Sequence, residues 1–189
     1  MGIDLKNYLN ENIRIRKAKT FKIQNRDEVV ELFKQAFLLT DRTITDFNWI
    51  PEYDGVVDWL CDSEGKGICL AGSNGRGKSN IINAVIPLIF EAAHAKVLNC
   101  YNAREMMDKR LEWAVVMDDI GQDSVVNSYG TKYDPVENAI CHCEERMKLL
   151  IMTTNLNKDQ IRNRYGQRIL DRINRLCKIV PFNGESFRK

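Results

Sequence analysis

Residues 72–79 read G-S-N-G-R-G-K-S, and Gly72, Gly77, Lys78 and Ser79 are the residue types that a bound polyphosphate demands at that spacing. Glycines at 72, 75 and 77 let the backbone curl until successive N–H groups face one set of oxygens. Lys78 brings a cation to the β- and γ-phosphates, and the Ser79 hydroxyl suits Mg²⁺. The loop therefore predicts a cradle built from Gly72, Ser73, Asn74, Gly75, Arg76, Gly77, Lys78, Ser79 and Asn80, with ATP and Mg²⁺ as its ligands. A glycine turn without a ligand is the plain alternative.

Three further stretches could act on the same phosphates. Residues 113–119, W-A-V-V-M-D-D, form an apolar run that ends in two carboxylates. Asp118 is expected to hold Mg²⁺ through water beside Ser79, and Asp119 to orient or activate the attacking water. Residues 149–155, L-L-I-M-T-T-N, deliver hydroxyls and an amide, and Asn155 is the candidate for holding that water. Asn155 could equally open a turn or cap the next helix. Arg164, Arg168, Arg172 and Arg175 recur at helical spacing and share one face, with Ile169, Ile173 and Leu176 supplying an apolar face. Such a row can reach a neighbouring subunit's γ-phosphate, pair with carboxylates, or contact nucleic-acid phosphate.

The elements that must position these groups follow from periodicity. An apolar stripe predicts a helix over 27–39, a loop at 47–51, and a short helix over 56–61. Strand and helix then alternate: strand 68–71, helix 79–93 bent at Pro87, strand 95–99, helix 103–111, strand 113–117, helix 135–146, strand 149–153, a helix over 159–176 interrupted near Gly166, and strand 178–182. Strands this apolar between helices indicate a parallel sheet covered on both faces.

With 189 residues, 44% hydrophobic and 29% charged, the chain has the composition of a soluble domain with one core. No apolar run approaches the roughly 20 residues that cross a bilayer. The start M-G-I-D-L-K-N-Y lacks a signal-peptide core, and Lys6 stands where a myristoylation signal wants Ser or Thr, so a cytoplasmic location without membrane contact is expected. The six cysteines show no C-x-x-C pair, and Cys141-His142-Cys143 on a helix would fan to different sides rather than gather a metal. Net charge is +2, yet residues 1–26 and 158–178 each hold seven basic side chains against two acidic ones, which suggests an anionic partner.

Taken together, G-S-N-G-R-G-K-S, V-V-M-D-D-I-G, I-M-T-T-N-L, R-Y-G-Q-R-I-L-D-R-I and the closing F-N-G-E-S-F-R resemble the helicase-loader branch of AAA+ ATPases, the DnaC, DnaI and IstB-like proteins. The resemblance runs from about Phe47 to Arg188 and implies a P-loop NTPase of AAA+ core type: an α/β fold with a five-stranded parallel sheet of order 5-1-4-3-2, helices on both faces and no C-terminal lid domain. It divides the chain into a basic, partly helical N-terminal extension, 1–45, and an ATPase domain, 46–189. It makes Asn155 the sensor residue and Arg172 the arginine that acts in trans on a neighbour's ATP, with Arg168 as second candidate. It also implies side-by-side homo-oligomers dependent on ATP, binding to single-stranded DNA, and contact with a replicative helicase. Asp119 departs from the glutamate usual across AAA+ proteins, and 1–45 carries no zinc ligands.

Slow, assembly-dependent ATP hydrolysis in DNA replication is accordingly the first expectation. A transposition helper of IstB type, with a transposase as partner, shares every motif. A P-loop kinase would need an arginine-bearing lid and an acceptor pocket, for which no stretch is suited. A nucleotide-gated DNA-binding adaptor with little turnover fits the shorter reach of Asp119.

Overall fold

The computed structural model describes residues 22–23, 25–41, 43, 46–94, 100–102, 114–122, 126–128, 131–184 and 186. The expected strand 95–99, the expected helix 103–111 and the basic residues of 1–21 lie outside the described residues.

Helix α1 (Arg26–Thr40) starts at Asn25, whose side chain accepts the Asp27 N–H, and carries Asp27 and Glu28 in its first turn against the helix dipole. Helix α2 (Pro51–Cys61) opens on proline, so it begins one and a half turns before the 56–61 segment that periodicity marks. Strand β1 (Gly67–Gly72) leads into the glycine loop. Beyond it lie α3 (Lys78–Asn80), a π-turn over Ile81–Val85 and α4 (Ile86–His94). The π-turn is the form taken by the expected bend. Pro87 has no N–H to donate, and its ring would strike the carbonyl of Asn83 in a regular helix, so the turn before it widens and Ile86 N–H bonds to Ile81 O.

Strands β2 (Cys100–Asn102), β3 (Ala114–Ile120), β6 (Leu149–Thr154) and β7 (Cys177–Phe182) join β1 in one five-stranded sheet of order β2-β3-β6-β1-β7 with all pairings parallel. Counting its members along the chain gives 5-1-4-3-2 from the opposite edge, the order implied by the resemblance. A hairpin that periodicity did not mark, β4 (Val126–Ser128) with β5 (Thr131–Tyr133), lies outside this sheet. Helices α5 (Pro135–Arg146), α6 (Lys158–Tyr165) and α7 (Gln167–Leu176) complete the chain, the last two separated at Gly166.

Alternation along the strands sends side chains into two layers. Ile68, Leu70, Val116, Ile151, Val180 and Phe182 pack with α1, α2 and the helix after the glycine loop. Cys69, Val115, Met117, Leu150, Met152 and Cys177 pack with α5, α6 and α7. Helix α1, which falls within 1–45, contributes Val29, Phe33, Ala36 and Phe37 to the first layer, where Phe33 and Phe37 join Phe47, Trp49 and Tyr53 in one aromatic cluster. The thiols of Cys69, Cys143 and Cys177 are buried in the second layer.

Asp134 fixes the start of α5: its Oδ1 accepts from Val136 N–H and Glu137 N–H at 3.0 and 3.2 Å, while its Oδ2 pairs with Arg164 of α6 at 2.9 Å. Asp134→Ala is expected to remove both cap bonds and the link to α6. The cost is about 1–2 kcal/mol, which scanning calorimetry would register as a Tm lower by roughly 2–4 °C per kcal/mol. Asp134→Asn, which keeps the cap acceptor, should recover most of that loss.

Candidate functional site

Parallel strands direct their C-terminal ends to one edge, so β1, β3 and β6 bring the glycine loop, Asp119 and Asn155 to a single open pocket of about 790 Å³, with Asp118 bonded to Ser79 at its margin. The loop itself is held from outside. Gly72 has φ +139°, and a Cβ there would stand 2.2 Å from the Phe182 carbonyl, so only glycine allows β7 this close. The same carbonyl accepts the Ser73 N–H at 2.9 Å. Gly77, at φ +80°, ends the loop and turns the chain into α3.

Lys78 is buried and donates its three N–H groups to Gly72 O at 2.8 Å, Ser73 O at 2.7 Å and Asn155 Oδ1 at 2.8 Å. Asn155 Nδ2 in turn donates to Asp119 Oδ1 at 2.7 Å. A continuous chain therefore runs from the Lys78 ammonium through the amide to the carboxylate that is the candidate base. Ser79 Oγ donates to Asp118 Oδ1 at 3.0 Å. Both atoms are hard oxygens of the kind Mg²⁺ takes, so Ser79 as ligand with Asp118 beside it through water would suit such an ion.

Two consecutive residues of a regular strand point to opposite faces, yet Asp118 and Asp119 both serve this edge. The reason is a bulge. Between the pairs Met117↔Met152 and Ile120↔Thr154, Asp118 and Asp119 face Thr153 alone, and Asp119 takes a left-handed φ of 57°. Left-handed backbone is uncommon for a residue with a side chain, and an aspartate tolerates it better than most. Thr153 fills the bulge: its hydroxyl accepts the Asp119 N–H at 2.8 Å and donates to Asp118 Oδ1 at 2.5 Å. Strained backbone stabilised by its surroundings is a feature of functional sites.

Arg76, in the middle of the loop, is buried and pairs with Glu52 at the start of α2. Burial opposes the charge on Glu52, but bonds from its own N–H, from Arg76 and from the Gly184 N–H hold its carboxyl below the usual range. Gly184 lies over the guanidinium so closely that a Cβ would meet Arg76 Cζ at 2.3 Å. The α2 residue that follows, Tyr53, lines the pocket with Phe37, Phe47 and Asn48, and burial raises its hydroxyl to about 12, so it stays a neutral donor. The flat rings of Phe37, Phe47 and Tyr53 beside the loop suit a planar base.

The structure thus brings together the loop residues 72–80, Asp118, Asp119 and Asn155. It does not bring the arginine row there. Arg172 Nε donates to Glu144 Oε2 of α5 at 2.6 Å, its Nη1 rests on Cys141 Sγ, and its side chain is 14% exposed. Arg175 shares Glu144, and Arg164 pairs with Asp134. Arg168 is exposed, and among the described residues no hydrogen bond or ion pair engages it. Sequence reasoning missed Thr153, Asn83 and the Arg76–Glu52 pair; the hydroxyl before the terminal T-N of β6 was the available signal for the first. Cys141, His142 and Cys143 lie on α5, and among the described residues no group of three or more His, Cys, Asp or Glu side chains is arranged to hold a metal ion. Among the described residues, too, no helix is long and apolar enough to cross a membrane.

No protein-family model matches the chain, and no curated protein matches it. Solved structures do. The crystal structure of DnaI shares 14% identity over 78% of this chain and 93% of its own, with a TM-score of 0.52. A candidate primosome component from Streptococcus pyogenes serotype M3 shares 15% identity over 82% and 91%, with a TM-score of 0.55. The DnaC helicase loader shares 17% identity over 94% and 99%, at a TM-score of 0.44. The first two establish a common fold.

Proposed function

We propose that this chain binds and hydrolyses ATP·Mg²⁺ in side-by-side assemblies on single-stranded DNA, as a replication ATPase of the helicase-loader kind. The observation that carries the chemistry is the Lys78–Asn155–Asp119 chain beside the Ser79–Asp118 pair. Backbone N–H groups of the loop and Lys78 bind the polyphosphate, and Ser79 with Asp118 would hold Mg²⁺, which would supply neutralising charge to the phosphates. Asp119 accepts a proton from the attacking water, and Asn155, donating to Asp119 Oδ1, keeps that carboxylate aimed.

The role in replication rests on the shared fold with DnaI and a primosome component, joined to the motifs of the helicase-loader resemblance. The partners are single-stranded DNA, a replicative helicase and further copies of the chain. Arg168 is the arginine that reaches a neighbour's γ-phosphate, and Arg172 pins the helix that carries it. This reverses the preference that the resemblance gives, because the Arg172 guanidinium is already committed to Glu144.

A second reading, a nucleotide-gated adaptor with little turnover, draws support from Asp119, a short carboxylate fixed in a bulge. One experiment separates them. Phosphate release is measured with the protein alone, with single-stranded DNA, and with a replicative helicase added. Acceleration by DNA supports the loader reading, whereas tight Mg²⁺-dependent ATP binding without release supports the adaptor. Absence of nucleotide binding would sink both.

A further inference from the structure

Asp118 is gripped by donors from three separate elements, and one of them belongs to no recognised motif. Ser79 Oγ and Thr153 Oγ1 donate to Oδ1 at 3.0 and 2.5 Å; Asn83 Nδ2 donates to Oδ2 at 2.8 Å. Asn83 stands in the middle of the π-turn Ile81–Val85, one turn beyond Ser79, where the helix widens ahead of Pro87. π-turns of this kind occur often at functional sites.

We propose that Asn83 is a positioning residue for divalent-cation binding, holding Oδ2 of Asp118 so that Oδ1 faces the Ser79 hydroxyl. The inference rests on the reading of this pocket as a Mg²⁺-nucleotide site. The torsion that turns an aspartate carboxylate is broad, so an unrestrained Asp118 would exchange its two oxygens freely. Thr153 restrains one oxygen, but its hydroxyl also serves the Asp119 N–H. Asn83 restrains the other. The chemistry of an amide matters here: a lysine or arginine at 83 would hold Asp118 equally firmly while cancelling the charge that attracts the cation. A neutral donor orients the carboxylate and leaves its charge available. Asn83 is exposed, so its truncation opens no cavity in the core.

The test uses the full chain and a fluorescent ATP analogue, titrated in EDTA and then at rising Mg²⁺. Asn83→Ala should leave affinity in EDTA within about twofold and raise the Mg²⁺ concentration at half-effect about tenfold to a hundredfold, the size expected for losing one hydrogen bond to a charged group. Asn83→Gln, which retains the amide donor, should recover part of the shift. An unchanged Mg²⁺ midpoint in Asn83→Ala would overturn the proposal, as would an equal loss of affinity with and without Mg²⁺, which marks mere support of the loop. A wild-type chain whose nucleotide affinity ignores Mg²⁺ would overturn the cation site itself, and the inference with it.

Discussion

Lys78→Ala is expected to weaken ATP binding by about a hundredfold or more, the largest single effect at the site. Charge-assisted hydrogen bonds contribute about 1.5–3 kcal/mol each, and two of them to phosphate oxygens amount to two or more factors of ten. The ammonium is buried and donates its N–H groups to Gly72 O, Ser73 O and Asn155 Oδ1, so on binding it exchanges part of this set for phosphate oxygens without leaving the loop. Calorimetric titration with ATP and Mg²⁺ reads the affinity, and circular dichroism checks that the variant folds. Lys78→Arg should bind weakly as well, because a planar guanidinium is a poor substitute for a compact charge in so tight a loop. Affinity within about threefold of wild type in Lys78→Ala would show that the polyphosphate sits elsewhere.

The second large effect concerns rate rather than affinity. Arg168→Ala should lower DNA-stimulated hydrolysis by about 10³-fold, the range of an arginine acting on a γ-phosphate. Its ATP affinity and Tm should stay at wild-type values, since Arg168 is exposed and makes no ion pair with the described residues. Arg172→Ala should do the opposite. It removes a guanidinium packed between α7 and α5 and costs stability, about 1–3 kcal/mol for a half-buried partner left short of a bond. Glu144 keeps Arg175, which moderates that loss. Phosphate release and calorimetry on both variants settle the order. Loss of stimulation at unchanged Tm in Arg172→Ala would return the trans role to Arg172.

These contrasts also mark what the chain discloses before it folds. The glycine loop, Asp118, Asp119 and Asn155 were legible because each ends an apolar run, and a parallel sheet sends such ends to one edge. The sheet order required more than periodicity, and came through the resemblance. The bulge at Asp118–Asp119 was not legible: a strand that places two neighbours on the same side breaks the alternation that identifies strands. Asn83 was hidden for a similar reason, since its partner is 35 residues away and the π-turn shifts the helical face. The arginine row was legible only as alternatives, of which pairing with carboxylates is the one the folded chain displays. Spacing placed four guanidinium groups on one face but could not reveal that Asp134 and Glu144 engage three of them. The hairpin of β4 and β5 is too short for any alternation to register.

The thiols packed beneath the sheet determine how this protein would age on the bench. Burial pushes Cys69 and Cys143 up to about 12 and Cys177 well above its ordinary value, so at neutral pH none of the three is a thiolate. Peroxide and maleimide react with thiolates, and these sulfurs are also walled off from both reagents. Cys61 and Cys141 stand nearer the surface. Cys141 lies against Arg172, on the helix that Arg172 ties to α7. On the proposed function, a label or an oxidised sulfur there would press on the arginine helix, so storage without reductant should impair DNA-stimulated hydrolysis before it impairs ATP binding.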